Sequence, residues 1–210
     1  MSASVPQIVL PPTVLVTGAA KLTGRSIALL LAEQGWRVAV HYRDSVEEAR
    51  RTVADCERLT PGARAFRGNL GNETAVRNLL PTVIEAMGHV DGVVNCATTL
   101  DRDSTATFSF AAMEKHMRSN VGAAILLAQA LHQHMAQRRL QDSAAVGLVV
   151  NWLDHKAAGE ASDHLSYTLS RAALEAATAL MDSSPQVRVL GAHSAAEAAA
   201  ALQTLRATHV

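Results

Sequence analysis

Short apolar runs alternate with longer amphipathic stretches along this chain. Thr13-Val14-Leu15-Val16 is apolar, β-branched and preceded by Pro11-Pro12, which predicts a buried strand. Gly18 follows at once. A helical pattern then runs from about Gly24 to Gln34, with Gly35 where a helix C-cap belongs. Arg37 to Tyr42 reads as a second strand, and Ser45 starts a helix with Glu48 at capping-box spacing. Arg64-Ala65-Phe66-Arg67 is a weaker strand. The next helix spans about Glu73 to Met87, and Pro81 is expected to kink or split it. Val90 to Asn95 is a fourth strand, followed by a polar loop and a long helix from about Ala111 to Arg138. Val146 to Asn151 makes a fifth strand, Leu165 to Asp182 a helix, Val187 to Leu190 a sixth strand, and the alanine-rich Ala195 to Ala207 a last helix.

Strand and helix alternate six times. That order predicts an α/β fold: a Rossmann-like, doubly wound parallel sheet with helices on both faces, formed by one domain over residues 1–210. In such sheets ligands bind beyond the carboxyl ends of the strands, where strand order reverses. The residues just after each strand therefore carry the functional expectation.

Composition narrows the classes. The 210 residues are 49% hydrophobic and 18% charged, as expected of a chain with a packed core. Lysine plus arginine balances aspartate plus glutamate, 19 against 19, so no general field attracts nucleic acid or an anionic membrane. Cys56 and Cys96 are far apart and lack metal-ligand spacing, which reads as two reduced thiols. The histidines, among them His132, His134, His155, His164 and His193, are scattered, and no metal site is expected. No signal-peptide pattern and no apolar run of about 20 residues is present, so the expected compartment is the cytoplasm, with no nucleic-acid or membrane partner.

After the first strand the chain reads Thr17-Gly18-Ala19-Ala20-Lys21-Leu22-Thr23-Gly24-Arg25. Small residues there let the backbone approach a pyrophosphate, and a helix N-terminus offers N–H donors and partial positive charge. A tight strand-to-helix turn is the bland alternative. After the second strand come Tyr42-Arg43-Asp44-Ser45. An arginine at that place favours the 2′-phosphate of NADP over the ribose hydroxyls of NAD. Asp44 works the other way, since it can pair with Arg43 or repel a phosphate. Arg43 as a solvated surface charge and Ser45 as a plain helix cap stay open.

Further along, Asn120 lies inside the long helix, where its propensity is poor. Asp154 lies just past the fifth strand. Tyr167 opens the next helix, and Arg171, four residues on, shares its face. A cation there can stabilise the phenolate of a group whose ordinary pKa near 10 hinders proton exchange at neutral pH. Trp152, just before Asp154, is read as packing or as a pocket wall.

These residues resemble the short-chain dehydrogenase/reductase superfamily, and within it the pteridine reductase and dihydromonapterin reductase group. The resemblance runs from about Thr13 to Arg188. Thr17 to Lys21 with Gly24 to Ala28 is similar to the group's glycine turn, and His41-Tyr42 with Ser45 to its stretch after the second strand. Asn69-Leu70 stands for the usual Asp-Leu at the adenine, Asn95-Cys96-Ala97 for Asn-Asn-Ala, and Asn120 for the asparagine of the proton relay. Asp154, thirteen residues before Tyr167, replaces the superfamily's serine, as in the pteridine reductase group. The resemblance implies NADP(H) as cofactor, held by Gly18, Lys21, Leu22, Thr23, Gly24, Tyr42, Arg43, Ser45, Asn69, Leu70, Asn95 and Ala97. It implies hydride transfer to a C=N bond of a pterin or related small planar substrate. Asp154, Tyr167, Arg171 and Asn120 would be the catalytic set.

The chain departs from that pattern in four places. Tyr-x-x-x-Lys reads Tyr167 to Arg171, and arginine's planar fork does not place a donor as an ammonium does. Leu22 stands where the superfamily has glycine and the group has arginine. Thr98-Thr99-Leu100 lacks the aromatic residue that stacks on a pterin. After the sixth strand, Gly191-Ala192-His193-Ser194 leads straight to the last helix, so the family's substrate lid and final strand are expected to be missing. A partner chain or the loop from Asp101 to Thr107 would then cover the site, and a homodimer through the long helices is expected. Two readings stay open: an NADPH-dependent reductase, or a catalytically silent relative that binds a pterin, a nucleotide or a partner protein.

Overall fold

The computed structural model describes residues 11–153, 163–181 and 186–207. Among these residues six strands form one sheet: β1 (Thr13–Val16), β2 (Arg37–Tyr42), β3 (Arg64–Arg67), β4 (Gly92–Asn95), β5 (Gly147–Trp152) and β6 (Val187–Ala192). Their order is β3-β2-β1-β4-β5-β6, and every pairing is parallel. Strand order reverses between β1 and β4, which opens a crevice at the carboxyl ends of those two strands.

The helices are α1 (Leu22–Glu33), α2 (Val46–Leu59), α3 (Glu73–Met87), α4 (Phe110–His116), α5 (Ala123–Arg138), α6 (Leu165–Met181) and α7 (Ala195–Ala207). Side-chain alternation along the strands divides the core between two faces. Val14, Val16, Val38, Val40 and Val150 point to one face and pack with Ile27, Leu31 and Leu202 from α1 and α7. Leu15, Ala39, Val93 and Val149 point to the other and pack with Leu80 and Val83 of α3 and Leu127 and Leu131 of α5. Apolar residues on both faces explain why the strands read as unbroken hydrophobic runs.

Several local expectations are corrected. Pro81 does not split α3, which runs unbroken around it. The proline is on the exposed side of the helix, so the Arg77 carbonyl that loses its amide partner is left to water. Ser45 makes no side-chain cap on α2, and Glu48 does not turn back to it. Glu48 instead reaches Lys21 in the glycine turn, 2.9 Å away. A reciprocal cap forms at α7: Ser194 Oγ accepts from the Glu197 N–H at 3.1 Å, and Glu197 accepts from the His193 N–H at 2.8 Å. The long helix expected over 111–138 is broken by a π-helical segment, Met117–Gly122, between α4 and α5. β6 extends two residues beyond the expected Leu190, and with β3 it is one of the sheet's two edge strands among the described residues.

Candidate active site

The end of β1 is fastened to β4 by one side chain. Thr17 Oγ1 accepts from the N–H groups of Cys96 (2.9 Å) and Ala97 (3.1 Å) and donates to the Val94 carbonyl. The next residue, Gly18, has φ +66, and a Cβ there would lie 2.8 Å from Ala97 Cα. A Cβ on Gly24 would lie 2.4 Å from the Gly18 carbonyl oxygen. Both glycines are therefore required by close backbone approach. The backbone N–H of Gly18 donates to His41 Nδ1 at 3.1 Å, and the His41 ring contacts the Gly68 carbonyl through Nε2 at 3.2 Å. His41 thus serves as a neutral imidazole carrying its proton on Nε2. Burial holds its pKa down to about 4, against a smaller upward pull from the Gly68 carbonyl.

The N-cap residue of α1, Lys21, makes no side-chain cap, and no acidic residue lies in the helix's first turn. Leu22, Thr23 and Gly24 begin that helix at the edge of a cleft of about 990 Å³. A tight glycine cradle at an uncapped helix N-terminus suits a bound diphosphate. Leu22 takes φ +49 there with its side chain 86% exposed.

One cleft gathers most of the expected cofactor residues: Gly18, Lys21, Leu22, Thr23, Gly24, Tyr42, Arg43, Ser45, Asn69, Leu70 and Ala97 all line it. Tyr167 and Trp152 line it too, from α6 and the end of β5. Asn95 is placed elsewhere. Its amide donates to Asn151 Oδ1 at 2.8 Å, and Asn151 donates to Thr178 Oγ1 at 2.9 Å. That buried relay ties β4 to β5 and β5 to α6, which fixes the helix bearing Tyr167.

Asn120 sits in the π-helical segment, 3% exposed and outside the cleft wall. Its Oδ1 accepts from the Thr99 N–H at 2.7 Å, and its Nδ2 donates to the Thr99 carbonyl and to Ser170 Oγ. It therefore holds the strand-end segment 98–100 against α6. The π turn, which resets the helical register at this residue, accommodates it. Arg171 is buried one turn beyond Tyr167, and its guanidinium donates to the Trp152 carbonyl. The sequence expectation placed that cation beside the phenol; the structure shows it closing the junction between β5 and α6. Asp154 and His155 lie outside the described residues.

The loop after β4 is anchored at several points. Asp103 accepts from the backbone N–H and the hydroxyl of Ser166 at the start of α6, and its own backbone pairs with Asp163 and Leu165. The fully buried His116 accepts the Asp101 N–H through Nε2 at 3.2 Å. Lys115 pairs with Asp101 at 2.6 Å, and that contact, outweighing slight burial, holds the Asp101 carboxyl below its usual range. Sequence reading missed several lining residues: Lys115, Arg118 and Ser119 from the end of α4 and the π turn. It also missed Arg67, which shares a smaller adjoining pocket with Arg43, Asp44 and Asn69. Arg67 was accessible to the strand-end rule, being the last residue of β3. The other three were not, because helical periodicity does not reveal which helix end meets a crevice.

Among the described residues, no helix is long and apolar enough to cross a membrane, and no group of three or more His, Cys, Asp or Glu is arranged to hold a metal ion. Comparison with known proteins gives concordant results. The family profile of the short chain dehydrogenases matches residues 12–208. The chain is 39% identical over 83 residues to the 3-oxoacyl-acyl-carrier-protein reductase FabG of Staphylococcus aureus, a match covering 40% of this chain and 34% of the relative. It is 29% identical over 126 residues to the L-rhamnose 1-dehydrogenase (NAD(P)(+)) of a Sphingomonas strain, covering 60% of this chain and 50% of that one. These matches thus span from a third to half of the curated relatives' lengths. Among solved structures, FolM alternative dihydrofolate reductase 1 from Brucella suis, crystallised with NADP, superposes with a TM-score of 0.76 at 26% identity. That match covers 86% of this chain and 73% of the other.

Proposed function

The chain belongs to the short-chain dehydrogenase family, and from that premise we propose that it is an NADPH-dependent reductase of a pterin or a related small planar substrate. The observation that carries this reading is that the glycine turn and Tyr167 line the same cleft at the β1/β4 reversal. The likeness to an NADP-bound alternative dihydrofolate reductase supports the choice of cofactor and of substrate class. NADPH, when bound, supplies the hydride.

The chain's own groups do the rest. Gly18 and Gly24 keep side chains out of the diphosphate seat, and the first turn of α1 provides N–H donors. Arg43 favours the 2′-phosphate. The phenol of Tyr167, with Asp154 as partner, gives up the proton that the reduced nitrogen takes. Arg171 steadies the phenol's helix and adds positive charge beside it. Trp152 offers an indole face to a flat substrate in place of the aromatic residue missing at Thr98 to Leu100. A second copy of the chain, docked on α4, α5 and α6, supplies the cover that a family lid would otherwise give. Leu169 and Leu180, exposed three turns apart on α6, suit that contact.

The test is to mix the protein with NADPH and a dihydropterin and follow loss of NADPH absorbance, with Tyr167→Phe as control. Turnover that disappears in the variant is expected; activity that survives in it overturns the role of Tyr167. A second reading is favoured by the engagement of Arg171 with the Trp152 carbonyl. On that reading the protein binds a pterin, a nucleotide or a partner protein without turnover. Tight ligand binding by calorimetry with no oxidation of NADPH would select it.

A further inference from the structure

At the rim of the cleft, two guanidiniums from adjacent strand ends converge on one carboxylate. Arg43 Nε lies 2.7 Å from Asp44 Oδ2, and an Arg67 terminal nitrogen lies 3.7 Å from Asp44 Oδ1. Arg67 is paired with Tyr42 in the β2–β3 register, and its Nε donates to the Arg43 carbonyl at 3.0 Å. That backbone tether points a long exposed side chain toward the mouth of the cleft. Arg43, Asp44, Arg67, Gly68 and Asn69 line an open pocket of about 510 Å³. Three of these residues, Arg43, Asp44 and Asn69, also line the main cleft, so the two spaces adjoin.

An exposed ion pair contributes only about 0–1 kcal/mol, so the Asp44 contacts do little for the fold and are readily exchanged. A phosphate monoester carries nearly two negative charges and three acceptor oxygens, and two guanidinium forks match it better than they match one carboxylate. Building on the dinucleotide reading above, we propose that Arg67 is the second arm of a phosphate clamp with Arg43, and that the Asp44 carboxylate is its resident occupant, displaced when a ribose phosphate enters. Asp44 then sets the selectivity of the cleft. It competes with a 2′-phosphate and leaves the binding of an unphosphorylated ribose unaffected. The two opposing signals at this strand end, an arginine that favours the phosphate and an aspartate that disfavours it, become parts of one device.

Calorimetry with adenosine 2′,5′-bisphosphate and with adenosine 5′-diphosphate tests this without turnover. Asp44→Asn should tighten the bisphosphate by about tenfold, and Arg67→Gln should weaken it by about tenfold or more, each charge-assisted contact being of that order. The diphosphate should change by less than about twofold in either variant. Both side chains are exposed, and thermal unfolding confirms that the variants are folded. Wild-type binding of the nucleotides with no selective effect of either substitution overturns the clamp and leaves the dinucleotide reading standing. Failure of wild-type protein to bind either nucleotide overturns both.

Discussion

Arg171 donates from its guanidinium to the backbone carbonyl of Trp152, joining α6 to the end of β5. In this family's motif the position carries lysine, and a lysine would be free to reach toward a ribose and the tyrosine. Arg171→Lys should therefore preserve or raise reductase turnover. Loss of the planar contact should lower stability by about 1 kcal/mol, a few degrees in Tm. Steady-state kinetics and thermal unfolding check the two effects separately. A variant that folds yet loses more than about tenfold in kcat would show that closing the β5–α6 junction matters more than the ammonium.

Leu22 occupies a left-handed backbone conformation, φ +49, with its side chain almost fully in solvent. An L-residue costs roughly 1–2 kcal/mol there, and little burial offsets it. Leu22→Gly removes that strain but adds flexibility to the unfolded chain, about 0.5–1 kcal/mol. The expected net result is a stabilisation of up to about 1 kcal/mol by urea unfolding, with tighter NADPH binding because the turn carries one bulky side chain less.

The neighbouring glycines predict the opposite. Gly24→Ala places a methyl carbon 2.4 Å from the Gly18 carbonyl, and backbone cannot yield as a side-chain tip would. NADPH affinity should fall by at least about tenfold, measured by calorimetry, even if the fold survives.

His41 gives the turn a pH dependence. Its pKa in the folded protein is about 4, against an ordinary value of 6.5. Above pH 6.5 both folded and unfolded chains hold the ring neutral, and its contribution is fully present. As pH falls from 6.5 toward 4 the unfolded chain takes the proton first, so stability is lost across that window, by about 3 kcal/mol in all. Below 4 both states are protonated and the loss stops. His132 and His134, also lowered by burial, act in the same direction. Urea unfolding at several pH values should show a shallower decline for His41→Asn than for wild type. Equal slopes would contradict the neutral ring assigned here.

The sheet was legible because apolar runs buried on both faces leave little ambiguity: five of the six strands begin or end where the pattern places them. The glycine turn was legible because Gly18 follows the first strand at once and Gly24 falls in the first turn of the helix after it. The π turn at Asn120 was not, because the hydrophobic period barely changes across six residues; only the poor helix propensity of Asn120 hinted at it. Asn95 shows the converse limit. A motif match assigned it to the cofactor, while its amide is engaged with Asn151 in the sheet. Partners separated by 56 residues in sequence are set by tertiary packing, which no local pattern records. Arg67 required only the rule that strand ends face the ligand, applied to β3 as well as β2.

The loop that begins at Asp101 was a candidate cover for the site, and the position of Asp103 argues that it is a fixed wall. Asp103 is buried, and its carboxylate accepts the Ser166 N–H at 2.9 Å and the Ser166 hydroxyl, capping α6 from a distant segment. Removing such a cap costs about 1–2 kcal/mol. Because Tyr167 is the next residue, the loss should also disturb the phenol. Asp103→Ala should therefore lower Tm and reduce kcat together, while NADPH affinity at the glycine turn stays within about twofold. Asp103→Asn keeps an acceptor for the Ser166 N–H and should recover most of the stability. A loop that acted as a moving lid would behave differently: the variant would bind and release product faster, with stability unchanged. Thermal unfolding alongside stopped-flow measurement of product release distinguishes the two.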